Sequence, residues 1–231
     1  MCFKANDCPR RRRGRTGAAL RDASAALRAA LAGAEYSRAG MEEAEHLRLQ
    51  DRAIRLEGDG YRGLLAGDAA GARALLREAA AAYRESWEAA PPRSFGRLLG
   101  MLKAAVIAGG GADEASYVRA RLGPEGDSPA SWYALGIVAL VEGDDGLARR
   151  AAAGMREGSA AFGRAADALR ALADGDRERY ARAVGAIVAD FERRADHLTG
   201  VGIADTALMF EVLAQRRGLS ARPQLDLLPA P

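Results

Sequence analysis

Glycine followed by aspartate recurs at Gly67-Asp68, Gly143-Asp144 and Gly175-Asp176, each time between two stretches of helical periodicity. Glycine adopts the left-handed conformation that ends a helix, and the aspartate after it caps the next one by accepting from free backbone N–H groups. A chain punctuated this way doubles back on itself as antiparallel helix pairs. Pro91-Pro92, Gly109-Gly110-Gly111, Gly123-Pro124 and Pro129 add further breaks. The intervals predict about ten helices, at roughly 18–33, 35–66, 69–90, 94–108, 112–121, 129–142, 145–155, 159–173, 176–195 and 203–217. The fold class expected is all-α, built of stacked antiparallel helix hairpins.

Composition agrees. Hydrophobic residues make up 49% of the 231 positions, yet aromatics are only 6% and alanine supplies much of the rest. Alanine is the best helix former and permits close helix approach, while the β-branched residues that strands favour are scarce. In 176–195, Tyr180, Val184, Ile187, Val188 and Phe191 share one face, which predicts an amphipathic helix packed on the body. The segments 94–108 and 203–213 are apolar almost all round and are expected to be central. In 35–66 the apolar residues Leu47, Ile54 and Leu65 stand among many charges, and His46 reads there as a solvated side chain.

The formal net charge is +3. Lys4, Arg10, Arg11, Arg12, Arg13 and Arg15 against Asp7 put residues 1–17 at +5, so the remainder sums to about −2. The basicity belongs to a tail, read as disordered from its Gly, Pro and Arg content, and not to the single helical domain expected over 18–231. Any contact with nucleic acid or an anionic membrane is expected only through Arg10, Arg11, Arg12, Arg13 and Arg15. The two cysteines, Cys2 and Cys8, also lie in the tail, without the further ligands a metal site needs. No metal and no cofactor are expected. With no apolar stretch of about 18 residues and no secretory apolar region, a cytoplasmic location is the expectation.

The segments "GYRGLLAGDAAGAR" (60–73) and "GIVALVEGDDGLAR" (136–149) align on their Gly-Asp turns. Small residues face each other across each hairpin, Gly60 with Ala72 and Gly136 with Ala148. Trp132, Leu135, Gly136 and Ala148 stand where a tetratricopeptide repeat has its Trp, Leu-Gly and turn-following Ala, and this part of the chain resembles such a repeat. Ala139 and Ala152 replace its aromatics, and no proline closes it at Ala160. That alignment places Trp132 in the core. The C-terminal third has a long amphipathic helix, an apolar helix ending in "LAQRRGL" (213–219) and a terminal "LDLLP" (225–229). It resembles the end of an all-helical immunity-protein family of bacterial polymorphic-toxin systems, which implies binding to a toxin without catalysis.

Motifs for catalysis are absent. "GGGADEAS" (109–116) lacks the preceding strand and the Lys-Ser/Thr pair of a phosphate loop, and no nucleophile elbow or His-Glu-x-x-His occurs. His197 reads as a helix-end imidazole favoured by the dipole, and Asp205 as a helix cap. Together they make 196–206 the most polar loop beside an apolar helix. Trp87, Arg93 and Phe95, at the double-proline break, have the residue types that anchor interfaces. The function these readings favour is non-catalytic protein binding by stacked helix pairs, of the toxin-neutralising kind if the second resemblance holds. The alternatives are a regulator using the Arg-rich tail and an enzyme using the 196–206 loop. Binding residues expected are Trp87, Arg93, Phe95, His197 and Asp205.

Overall fold

At all three Gly-Asp turns the glycine is left-handed, with φ of 81° at Gly67, 79° at Gly143 and 70° at Gly175. Each aspartate caps the following helix: Asp68 accepts from the Gly71 N–H at 2.9 Å, Asp144 from Leu147 at 2.8 Å and Asp176 from Arg179 at 3.0 Å. The computed structural model of the chain describes residues 45–222, within a unit that begins at Glu45. The basic tail at 1–17, Cys2 and Cys8, the helix expected at 18–33, the start of the one expected at 35–66, and the segment 225–229 lie outside the described residues.

Those residues form nine α-helices and no strand. They are α1 (45–65), α2 (Ala69–Ala89), α3 (Gly96–Ile107), α4 (Ala112–Leu122), α5 (Pro129–Glu142), α6 (Asp145–Gly154), α7 (Ala160–Asp174), α8 (Arg177–Glu192) and α9 (Asp205–Arg216). Most boundaries fall where the punctuation puts them, while α8 ends at Glu192, three residues short of the expected end, and α9 begins at Asp205, two residues late. Pro129 opens α5 behind a capping box made by Ser128 and Ser131, since proline's missing N–H is one of the donors a first turn leaves unused.

From α4 to α8 each helix packs on the next in sequence, as α2 does on α3, and α3, α5 and α7 also pack on one another as an inner row. The helix α9 then turns back and packs on α3, α7 and α8, with Phe210 stacked on Tyr133 of α5 at 6.4 Å. The inner row is therefore covered by α9, the last helix among the described residues. Two arginines at the end of α9 hold it there by donating to carbonyls at helix ends. Arg216 reaches Gly110 at 2.8 Å, and Arg217 reaches Leu140 at 3.4 Å while pairing with Asp145 at 2.6 Å.

Alanine's role as spacer is visible in the core, where Ala53, Ala72, Ala79, Ala104, Ala134 and Ala151 are fully buried. A Cβ on Gly60 would sit 2.8 Å from the Leu76 side chain and 3.3 Å from the Ala72 carbonyl, which is the close approach expected in the first hairpin. At Gly136 the close neighbours are Leu169 of α7, at 2.2 Å, and Ala151, rather than Ala148. Trp132 departs from expectation. It is only half-buried, its ring seated over Gly126 and Gly154, and the enclosed aromatic of that turn is Tyr133. Trp132 lies in the first turn of α5, where a loop and the frayed end of α6 cover it instead of a full helix.

Candidate functional site

The helix α1 turns three of its polar residues, His46, Glu57 and Tyr61, inward. His46, Ala53, Glu57, Gly60 and Tyr61 are buried, while Leu47 and Leu65 are 46% and 43% exposed. The expectation of a solvated His46 is thus overturned. Its ring Nδ1 lies 2.7 Å from a guanidinium nitrogen of Arg97, and its carbonyl accepts from Ser86 Oγ at 2.9 Å. Arg97 Nε donates to the same Ser86 oxygen at 2.8 Å. His46, set among exposed charges such as Glu45 and Arg48, thus belongs to a buried network that joins α1 to α2 and α3.

The second inward group on α1 is Glu57, 3% exposed. It accepts hydrogen bonds from Tyr61 at 2.8 Å and Tyr83 at 2.7 Å. The Tyr83 ring reaches it because Gly100 of α3 has no side chain: a Cβ there would lie 2.7 Å from the ring. Burial raises the Glu57 pKa, and the partly compensating Lys103 and tyrosine contacts do not reverse that direction. Lys103, the sole charge in the interior stretch "LLGMLKAAVI" of α3, pairs with Asp205 at the start of α9. Burial works against the Lys103 charge, yet Asp205 and Glu57 outweigh it and hold its pKa above the usual lysine range. Burial likewise opposes ionisation of Asp205, but the Lys103 ammonium and the Thr206 N–H leave its pKa below the usual carboxylate value.

These residues line a cavity of about 350 Å³ walled on its other side by the 196–206 segment. His197 and Asp205 both border it, together with Glu57, Tyr61, Tyr83 and Lys103. Neither sits as anticipated. The helix α8 ends at Glu192, so His197 lies five residues beyond it and stacks on Phe191 at 4.4 Å. Asp205 is the first residue of α9 and makes no cap, its carboxylate being turned to Lys103. Val201 and Ile203 anchor the loop inward, and it lies so close over α1 that a Cβ on Gly58 would meet the Thr199 carbonyl at 2.9 Å. Leu198 projects from it, 76% exposed.

No protein-family model, curated protein or solved structure matches this chain. Its own geometry therefore carries the functional argument.

The other expected binding residues stand apart from this cavity. Phe95 is buried, with Trp87 stacked on it at 5.9 Å, and Arg93 is exposed and paired with Asp127 at 3.0 Å. Glu57, Lys103, Tyr61 and Tyr83 were not anticipated. The legible signal was Lys103, since a lone ionisable residue inside an apolar helix needs a partner. Glu211 in "ALMFEVLA" is a parallel case. It accepts from Tyr180 at 2.6 Å, Ser220 at 2.6 Å and the Arg222 N–H at 3.0 Å, tying the segment after α9 to α8. Among the described residues no group of acidic, His or Cys side chains could hold a metal, and no helix is long and apolar enough to cross a membrane.

Proposed function

We propose that the chain is a non-catalytic protein-binding module that engages its partner through the 196–206 loop. The observation that carries this reading is Leu198, an exposed leucine at the tip of a loop whose flanks are anchored in the core. A large apolar side chain held out on a positioned loop is suited to enter a pocket on another protein. The ionisable groups beneath support the loop through contacts with one another, Glu57 with two tyrosines and Lys103 with Asp205. The resemblance of the C-terminal third to toxin-neutralising immunity proteins supports a toxin as the class of partner.

The test compares wild-type and Leu198→Asp protein in affinity capture from the source cells, followed by titration against the captured partner. Leu198→Asp is expected to weaken the complex by about 2 kcal/mol or more, with far-UV circular dichroism unchanged, while Leu47→Asp on α1 binds normally. Equal binding by Leu198→Asp overturns the choice of surface. The competing reading, small-molecule chemistry in the cavity, draws on His197 and Asp205 bordering it beside Lys103. A turnover abolished by His197→Ala would establish it instead.

A further inference from the structure

A second cavity, of about 220 Å³, adjoins the first and has a different character. Its walls are apolar, made by Leu99, Phe162, Ala165 and Ile187 with the ring of Tyr133. Tyr133 and Phe162 meet edge to face at 6.2 Å. Arg164, Arg194 and Asp190 complete it. The Tyr133 hydroxyl is itself enclosed beside Thr206, without accessible surface toward the cavity, so the cavity meets the ring alone.

The observation that points to a ligand is charge. Arg164, Arg194 and Arg193 all pair with the one carboxylate of Asp190, at 2.7, 2.8 and 3.5 Å. None of the three has a second carboxylate partner among the described residues, and Arg164 and Arg194 line the cavity while Arg193 does not, so two guanidiniums face it against one acid. Asp196 borders only the adjoining cavity. Leu99, Arg194 and Thr206 line both cavities, while Arg164 and Asp190 line the smaller one alone.

We propose that this chamber binds a small monocarboxylate with a compact aromatic or aliphatic body. The body fills the space between Leu99, Phe162, Ala165 and Ile187, and the aromatic pair favours a ring there. The carboxylate takes charge-assisted hydrogen bonds from Arg164 and Arg194, whose planar donors suit a carboxylate and are not exhausted by Asp190. This site does not depend on protein recognition by Leu198, so a failed titration here leaves the experiment on that loop standing.

Isothermal titration of the full chain with 3-phenylpropionate, and separately with its uncharged analogue 3-phenylpropanamide, tests the proposal. The acid is expected to give a single-site isotherm and the amide to bind at least about tenfold more weakly. Arg164→Gln with Arg194→Gln removes the preference for the acid. Arg193→Gln, whose guanidinium pairs with Asp190 but does not line the cavity, leaves that preference in place. No binding of the acid, equal binding of acid and amide, or unchanged acid binding in the double variant overturns the site.

Discussion

Lys103 and Asp205 show how a charge can persist inside an alanine-rich body. Their side chains are 19% and 23% exposed, short of full burial, so the cost of breaking the pair falls below that of a fully enclosed one. Lys103→Met is expected to destabilise the fold by about 2–4 kcal/mol, since it leaves Asp205 and Glu57 without their cation. Lys103→Met combined with Asp205→Leu is expected to recover much of that loss, and urea unfolding measures both. Their pKa values, moved apart, set opposite ends of a pH window. The Asp205 pKa is depressed, so its contribution is present above its unfolded pKa near 3.8 and lost as pH falls through the lower folded value. The Lys103 pKa is raised, so its contribution holds below about 10.5 and is lost as pH climbs through the higher folded value. Glu57 behaves oppositely to Asp205. Its pKa is raised, so the fold favours the protonated acid, and stability falls as pH rises from about 4.5 through the folded value. Melting temperatures of Glu57→Gln minus wild type are therefore expected to move in favour of the variant between pH 4 and pH 8. A difference that stays flat would show that folding does not raise the Glu57 pKa.

Helix ends carry their own information. The side chains of Asp68, Asp144 and Asp176 accept from backbone N–H groups that a first turn otherwise leaves unmet. Asp144→Ala is expected to cost about 1 kcal/mol, read as a lowered denaturation midpoint at unchanged slope. Gly100→Ala belongs to another class. It sets a methyl group 2.7 Å from the Tyr83 ring, between α2 and α3, and the ring must shift away from Glu57. A loss of about 1–3 kcal/mol follows from overpacking, and tyrosine absorbance should report the displaced phenol. Local rules made the Gly-Asp caps readable from the chain. The packing of Gly100 against Tyr83, 17 positions away, has no counterpart in any short window.

The return of α9 onto α3 changes how the whole array should unfold. An open stack of helix pairs has only neighbour contacts and can come apart from either end. Here α9 packs on both α3 and α7, and its arginines reach the carbonyls of Gly110 after α3, Leu140 in α5 and Leu172 in α7, so the ends of the row are coupled. Equilibrium urea unfolding is expected to give coincident transitions by far-UV dichroism and by the fluorescence of either tryptophan, measured in Trp87→Phe and Trp132→Phe proteins. Two separated transitions would mean that α9 does not bind the row together.

Over the described residues the sequence by itself determined the helices, their order and most of their ends, because periodicity, glycine conformation and side-chain capping act within a few residues. It also marked α3 and α9 as apolar elements and α8 as amphipathic, and drew attention to the 196–206 loop. Only the tertiary structure decided that His46 and Glu57 face inward while Leu47 faces out, and that Trp132 lies at a margin. It likewise decided that Lys103 meets Asp205 across 102 positions. Helical periodicity gives the stripe that is apolar, but a buried charge is tolerated only where a distant residue supplies its partner. That partner is a property of the packing, and no stretch of this chain contains both halves of the pair.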